Sequence, residues 1–304
     1  IRNLDMRDLK NKLTSGKNTK NTQSRKGKSF GYQVLGFGAG GGAAPVNVDY
    51  LVVAGGGGGG VYDGNNGGGG AGAGGMRFSF RCCSVSQVEI ETGVDYTITV
   101  GAGGAKAPAS NTPSSRGGDS VAFAGETFAV TSTGGGGGSQ GQSTGGSGGG
   151  GTSVYSQAGS AGNTPPTSPS QGNPGGQGAG TPSAGSNRGG GGGGHGGAGG
   201  NAASSNDGQG GAGTANDITG ACVSYAFGGP GGGGPDGGSG CAEKGAGGGG
   251  GRQMATAANG GSGVVIIRIP CGPAATSVAP GTNQVSNDGS AKIARFTVTG
   301  TLTL

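Results

Sequence analysis

The chain has very few of the residues from which most globular proteins build their cores. It contains no tryptophan and a single histidine, and its 304 residues are only 5% aromatic and 30% hydrophobic. A typical protein is about 45–50% apolar when glycine is counted. Its apolar runs last a handful of residues, whereas a membrane-spanning helix needs about 20. We therefore expect neither a membrane span nor the continuous aliphatic core of a large enzyme.

The shortage of histidine and the spacing of the cysteines argue against catalysis and metal binding. His195 lies inside a glycine block, where no neighbouring side chain is available to orient it for Ser/His or Cys/His chemistry. The cysteines show no CxxC spacing, and one histidine does not complete a zinc set. They are Cys82, Cys83, Cys222, Cys241 and Cys271. We predict no enzyme activity and no metal, and leave open whether Cys222 and Cys241 form a disulfide or all five are small buried residues.

Two glycine motifs resemble nucleotide-binding loops but fail on their context. Gly55–Gly60 follows a predicted strand, as a dinucleotide-binding turn does, but residues 61–66 contain no helix start to face a pyrophosphate. Gly27-Lys28-Ser29 resembles the end of a phosphate-binding loop, but Thr22 stands where its first glycine is required. We predict no cofactor.

Charged residues are also scarce, at 11%, and the positive ones are concentrated near the start of the sequence. Residues 1–28 carry nine basic and two acidic side chains, a net charge of +7, while the whole chain carries +5. The basic residues are Arg2, Arg7, Lys10, Lys12, Lys17, Lys20, Arg25, Lys26 and Lys28. A basic arm on a nearly neutral body favours an anionic partner. We predict that residues 1–46 attach the chain to another subunit, with a solvated tail and nucleic-acid binding as alternatives.

Glycine is the residue that the chain has in excess, with 86 positions. Thirteen prolines are too few for collagen, and the glycines form blocks instead of occupying every third position. Blocks with polar segments between them occupy 134–138, 148–151, 189–194, 231–234 and 247–251. Flexible linkers are one interpretation. We favour an ordered one, because glycine segments in the polyproline II conformation pack closely and hydrogen-bond to several neighbours.

Short runs of β-branched and aromatic residues frame these blocks and predict strands. The predicted strands are 48–53, 76–80, 85–90, 96–100, 121–123, 128–130, 264–269, 293–298 and 301–304. The link Glu91–Asp95 predicts a hairpin turn. The fold class predicted is mainly β with a polyglycine II helix bundle and little or no α-helix. Its regions are the arm (1–46), a β-rich part with the first glycine blocks (47–133), the bundle (134–262) and a C-terminal β module (263–304).

Three stretches resemble the glycine-rich domain of bacteriophage tail-fibre and other virion proteins. They are Val48-Asp-Tyr-Leu-Val-Val-Ala-Gly55 with the glycine blocks after it, Tyr96-Thr-Ile-Thr-Val-Gly-Ala-Gly-Gly104, and Gly261-Ser-Gly-Val-Val-Ile-Ile-Arg-Ile-Pro270. Residues 291–304 are similar to a small β module that often precedes this domain and here follows it. In T-even-like phage adhesins, similar chains form layered polyglycine II bundles whose end loops bind the bacterial surface without catalysis.

The resemblance implies a virion structural protein that contacts its host through loops on a glycine scaffold. The segments between the blocks are the candidate contact sites, because recognition residues concentrate on loops that a rigid scaffold holds. The residues singled out are Tyr155, Gln157, Tyr225 and Phe227. The adhesins have no counterpart of the basic arm, so we keep a purely structural alternative: a capsid decoration or an extracellular filament subunit in a multi-copy assembly.

Overall fold

A computed structural model describes residues 45–62, 66–82, 84–139, 143–180, 187–232, 239–251, 257–271 and 276–304, which lie in one compact unit. All nine basic residues of the predicted arm fall outside these ranges, so its role stays a prediction. The described residues are mainly β and include a 3-10 helix, Val154–Ser156, but no α-helix. The predicted mainly-β class is confirmed.

Thirteen short strands make up the β structure of the described residues. They are β1 (Val46–Val53), β2 (Met76–Phe78), β3 (Val88–Ile90), β4 (Asp95–Thr99), β5 (Ser120–Ala124), β6 (Val130–Ser132), β7 (Thr214–Asn216), β8 (Val223–Tyr225), β9 (Val264–Ile269), β10 (Ser277–Ala279), β11 (Gln284–Asp288), β12 (Ala291–Phe296) and β13 (Gly300–Thr303). One antiparallel sheet has the order β11-β12-β9-β1-β2, with β3 also paired to β1. A second has the order β10-β13-β4-β5-β6, and β7 pairs with β8 alone.

The central strands β1 and β9 of the six-stranded sheet are buried on both faces. Val52 and Ile267 face one core, which the five-stranded sheet closes with Ile98, Phe123 and other residues. The adjacent positions Val53 and Ile266 face a second core against the β7–β8 hairpin. Burial on both sides explains why the central strands consist of continuous apolar runs instead of alternating polar and apolar residues.

The strand predictions succeed where an apolar run is long, and the hairpin prediction is wrong. The observed β9 coincides with the predicted 264–269, and β1 contains the predicted 48–53. Glu91–Asp95 does form a turn, with φ of +80° at Gly93, but the strands on its two sides enter different sheets. β3 pairs with β1, whereas β4 pairs with β13 and β5. Packing of the two sheets, and not the local turn, selects the strand partners.

The regions predicted at 47–133 and 263–304 share both sheets. Val53 of β1 pairs with Val264 of β9, and Tyr96 of β4 pairs with Leu302 of β13. The six-stranded and five-stranded sheets therefore form one β sandwich from both ends of the described chain, with the glycine-rich region inserted between them.

The glycines of Gly55–Gly60 follow β1 directly, and hydrogen bonds surround their backbone. Their N–H groups donate to three segments, their carbonyl groups accept from three others, and each partner segment recurs at every third residue. Gly55 and Gly58, for example, donate to the carbonyl oxygens of Gly118 and Ser115. The six partner segments are 69–72, 104–107, 115–118, 135–138, 248–251 and 258–261. Recurrence at every third residue matches the period of a polyproline II helix.

The same bonding pattern extends over three rows of segments, which we call the glycine lattice. In neighbour order, the middle row contains 102–107, 55–60, 68–73, 189–194 and 197–200. One outer row contains 115–118, 134–138, 146–151 and 173–176, and the other contains 258–261, 246–251, 228–232 and 208–211. Segments from the predicted β-rich part thus lie in the middle row, so the lattice is wider than the predicted 134–262 region.

The strands and the glycine lattice are continuous with each other. β1 leads into 55–60, and 68–73 leads towards β2, which pairs with β1. In the same way, 258–261 leads into β9. Since these strands are fixed in the apolar cores, each supplies a glycine segment with a defined start or end. We infer that the sandwich sets the distances between those glycine segments that begin or end at its strands.

Candidate partner-binding surface around Phe78

The four predicted contact residues occupy different environments. Tyr225 lies on β8, is only 5% exposed and packs in the core against the six-stranded sheet. Phe227 is 41% exposed. Gln157 is half-buried and accepts a 2.9 Å hydrogen bond from the Thr152 hydroxyl. Tyr155 belongs to the 3-10 helix, and its side chain lies outside the described part of the structure.

The structure instead brings two of the predicted loop regions to cavities that Phe78 lines. This residue ends β2 and lines two cavities. Pro169 and Ser170 of the loop 163–173 line the first cavity. Asp217 and Cys222, from the link between β7 and β8, line the second. We call the two cavities and Phe78 between them the Phe78 surface. The sequence predicted the loops and the strand 76–80 that contains Phe78, but it did not mark Phe78 as a residue that lines both cavities.

The first cavity is small and mostly apolar, with a volume of about 80 Å³. Its wall contains Met76, Phe78 and Val85, together with the imidazole of His195. The rings of Phe78 and His195 meet edge to face, with 6.1 Å between their centroids. A cavity of this size and polarity suits one small apolar group of a partner.

His195 is fixed by contacts on both its backbone and its ring. Its N–H donates to the carbonyl oxygen of Ala226, and its Nδ1 lies 2.7 Å from the hydroxyl oxygen of Thr214. Burial lowers the pKa of His195 from its ordinary value of 6.5, and a backbone hydrogen bond with Ser170 opposes that shift more weakly. Burial thus disfavours the charged form of the imidazole that lines the cavity.

The second cavity, of about 280 Å³, is bordered by aromatic and charged groups. Arg81 forms an ion pair with Asp217. The guanidinium carbons of Arg81 and Arg268 lie 5.3 Å and 5.0 Å from the centroid of the Phe80 ring, in cation–π contact. Arg81 is 72% exposed. This border offers both donors and acceptors next to an apolar floor, which suits a ligand with polar and apolar faces.

The loop 163–173 is held in one conformation by a network around Asn163. The side-chain oxygen of Asn163 accepts hydrogen bonds from the backbone N–H groups of Thr167 at 3.0 Å and Gln171 at 3.2 Å. Gln171 is fully buried, and its side-chain oxygen accepts from the backbone N–H of Thr133 at 2.8 Å. The network ties the loop to the end of β6, so it presents Pro169 and Ser170 on a rigid support.

Comparison with known families assigns the chain to one of them. A family model described as "Glycine-rich domain" matches residues 43–270, which is most of the chain. The chain belongs to this glycine-rich domain family. Neither the curated proteins nor the solved structures contain a match. Membership in the family confirms the glycine-rich part of the predicted resemblance, and a connection to tail fibres remains a proposal.

The remaining predictions on cysteines, metals and membrane spans can be compared with the described residues. Cys82, Cys222, Cys241 and Cys271 are free thiols, so Cys222 and Cys241 are not joined. Cys83 lies outside the described part. The searched residues contain no group of three or more His, Cys, Asp or Glu side chains placed to hold a metal ion. No helix among them has the length and apolar character needed to cross a membrane.

Proposed function

We propose that the chain is a non-enzymatic structural protein of a phage virion, of the tail-fibre or adhesin type. It contacts the bacterial surface through loops held on a polyglycine scaffold. The observation that carries this proposal is the support of the Phe78 surface: the loop 163–173 and the β7–β8 hairpin are both fixed to hydrogen-bonded structure. Rigid presentation favours recognition, because little conformational entropy is lost when the partner binds.

We further infer that the segments of the glycine lattice are polyglycine II helices. Three observations support this assignment: recurrence of partners at every third residue, six neighbours around one segment, and hydrogen bonds that leave the segment instead of closing within it. A scaffold of this kind gains its order from the backbone, so the polar residues between blocks are free to vary with the partner.

A virion experiment tests the proposal in two parts. Purified particles of a phage that encodes the chain are analysed by mass spectrometry and by immunogold microscopy. We expect the chain in the particles, at the fibre tip. In the second part, residues 164–170 are replaced by a Gly/Ser segment of equal length, while Asn163 and Gln171 are kept. We expect adsorption to the host bacterium to fall more than about tenfold, because rim residues of the Phe78 surface are lost.

A matched loop replacement controls for general damage. Residues 201–207 also connect lattice segments but do not line the Phe78 surface. The same Gly/Ser replacement there is expected to leave adsorption unchanged. Absence of the chain from particles would overturn the virion assignment. Presence in particles with unchanged adsorption of the 164–170 variant would favour the structural alternative: a capsid decoration or filament subunit, which is anchored by its basic arm.

A further inference from the structure

A groove beside the sandwich core, which shares no lining residue with the Phe78 surface, carries negative charge that the proposed host contact does not use. It has a volume of about 490 Å³ and lies between β3 of the six-stranded sheet and the β5–β6 turn of the five-stranded sheet. Its lining residues are Pro45, Glu89, Ile90, Glu91, Val94, Tyr96, Glu126 and Phe128. We call it the Glu126 groove. Five of these eight residues are apolar or aromatic, and the carboxylates lie on or next to β3 and in the β5–β6 turn.

The carboxylates of the groove are exposed and are not neutralised within the described structure. Glu89, Glu91 and Glu126 are all exposed. The ion pairs found among the described residues join other acids: Asp207, Asp217, Glu243 and Asp288. The three negatively charged carboxylates around this groove repel each other, and a cationic partner relieves this repulsion.

The floor of the groove is rigid and suited to the stems of long basic side chains. The hydroxyl of Tyr96 accepts a 2.8 Å hydrogen bond from the backbone N–H of Glu91, which fixes the chain at that carboxylate. Tyr96 and Phe128 pack together with 6.4 Å between their ring centroids. Lysine and arginine place their methylene stems on such apolar surfaces while their charged ends reach carboxylates at the rim.

We propose that the Glu126 groove binds the basic arm of a second copy of this chain. The arm is the concentrated source of positive charge in the sequence: residues 1–28 carry +7, and residues 29–304 together carry −2. Charge complementarity therefore favours pairing between the arm of one copy and the acidic groove of another. A multi-copy assembly supplies that second copy. β3 also offers backbone hydrogen-bonding groups to a partner. Among the described strands it pairs with β1 alone, so its other edge is open to an added extended segment.

Isotope-mixed cross-linking tests this proposal on the full chain. Unlabelled and ¹⁵N-labelled copies are mixed and treated with a carbodiimide, which joins a lysine directly to a carboxylate. We expect mixed-label cross-links from Lys10, Lys12 or other arm lysines to the glutamates of the groove. Their yield is expected to fall about tenfold between 50 mM and 500 mM NaCl, because exposed charges are screened.

A charge-matched pair of variants completes the test. Glu89→Gln/Glu91→Gln/Glu126→Gln removes the charge of the groove, and Asp207→Asn/Glu243→Gln/Asp288→Asn removes the same charge from residues that line neither the groove nor the Phe78 surface. Sedimentation velocity is expected to show weaker self-association for the first variant alone. Cross-links between equal labels only would mean that each arm binds its own body, and would overturn the proposal. Equal weakening by both variants, or the absence of arm–groove cross-links, would also overturn it. None of these readouts depends on host binding.

Discussion

A Cβ atom on Gly55 would lie 2.0 Å from the carbonyl oxygen of Ala102. These two residues belong to neighbouring segments of the middle row, and the distance shows how closely the backbones approach. The same holds at the next positions: a Cβ on Gly57 would meet the carbonyl oxygen of Gly136 at 2.1 Å. At these positions glycine is therefore required by the space between segments, and not by flexibility.

This geometry predicts that Gly57→Ala strongly destabilises the chain. The added methyl group meets backbone on a segment that is itself hydrogen-bonded to neighbours, so no flexible side chain is available to move away. We expect the free energy of unfolding to fall by about 3 kcal/mol or more, the upper part of the range for overpacked sites. Urea unfolding of the full chain, followed by circular dichroism, measures this change.

Gly197→Ala is the matched control for that prediction. Gly197 also belongs to the lattice, but at its end, and a Cβ there would find its nearest atom 3.8 Å away, in Ala212. We expect a change within about 0.5 kcal/mol, or a gain of up to about 1 kcal/mol from the stiffer unfolded chain. Equal losses in both variants would show that the glycine requirement is not steric.

The two-sided burial of β9 in the six-stranded sheet predicts that truncation is costly at two adjacent positions. Ile266 and Ile267 are both fully buried, but in different cores. We expect Ile266→Ala and Ile267→Ala each to reduce the free energy of unfolding by about 2–5 kcal/mol. Val298→Ala, at a position that is 41% exposed, is expected to stay within about 0.5 kcal/mol. A small effect at either isoleucine would contradict burial on both faces.

Sequence reasoning recovered the strands whose apolar runs are long and missed those whose stability comes from their surroundings. β9 has six consecutive positions, of which five are buried apolar residues and one is a partly buried arginine, and this run signals a central strand. β7 and β8 have three residues each and pair only with each other, so no local pattern distinguishes them from loops. Tyr225 was accordingly predicted as a loop residue that contacts a partner, whereas it packs in the second core.

The loop 163–173 yields a prediction about local order. Removing the side-chain oxygen in Asn163→Ala leaves the N–H groups of Thr167 and Gln171 without their acceptor. A lost hydrogen bond of this kind is worth about 1.4 kcal/mol, so we expect both amides to exchange about tenfold faster. Asn163→Asp keeps the acceptor and also tolerates the positive φ of +51° at this position, so it is expected to preserve protection. Hydrogen exchange followed by mass spectrometry reads out both variants.

The Phe78 surface could not be predicted from the sequence for a related reason. Phe78, His195 and Pro169 come from separate parts of the chain, and the glycine lattice brings them together through contacts between backbones. Backbone contacts leave no residue-specific pattern beyond glycine itself. The sequence therefore identified the loop regions and the scaffold type, while the particular side chains that meet were fixed by the register of the lattice.

The single histidine gives the chain a defined pH dependence. Because burial lowers the pKa of His195 below 6.5, the folded state holds the proton less strongly than the unfolded state does. Well above pH 6.5 the imidazole is neutral in both states, and it contributes no dependence. As the pH falls through 6.5, the unfolded chain takes up the proton first, so the folded state loses stability until the pH reaches the lower folded-state pKa. Urea unfolding between pH 8 and pH 5 is expected to show this loss.

His195→Gln provides the reference that separates this effect from carboxylate titration. The difference in unfolding free energy between the natural chain and His195→Gln is expected to change below pH 6.5 and to be constant well above it. Since the chain has one histidine, a single imidazole signal in the proton NMR spectrum reports its folded-state pKa directly. A midpoint at or above 6.5 would show that the ring is not desolvated. A difference that stays constant down to pH 5 would contradict the burial of His195 against Phe78 and Thr214.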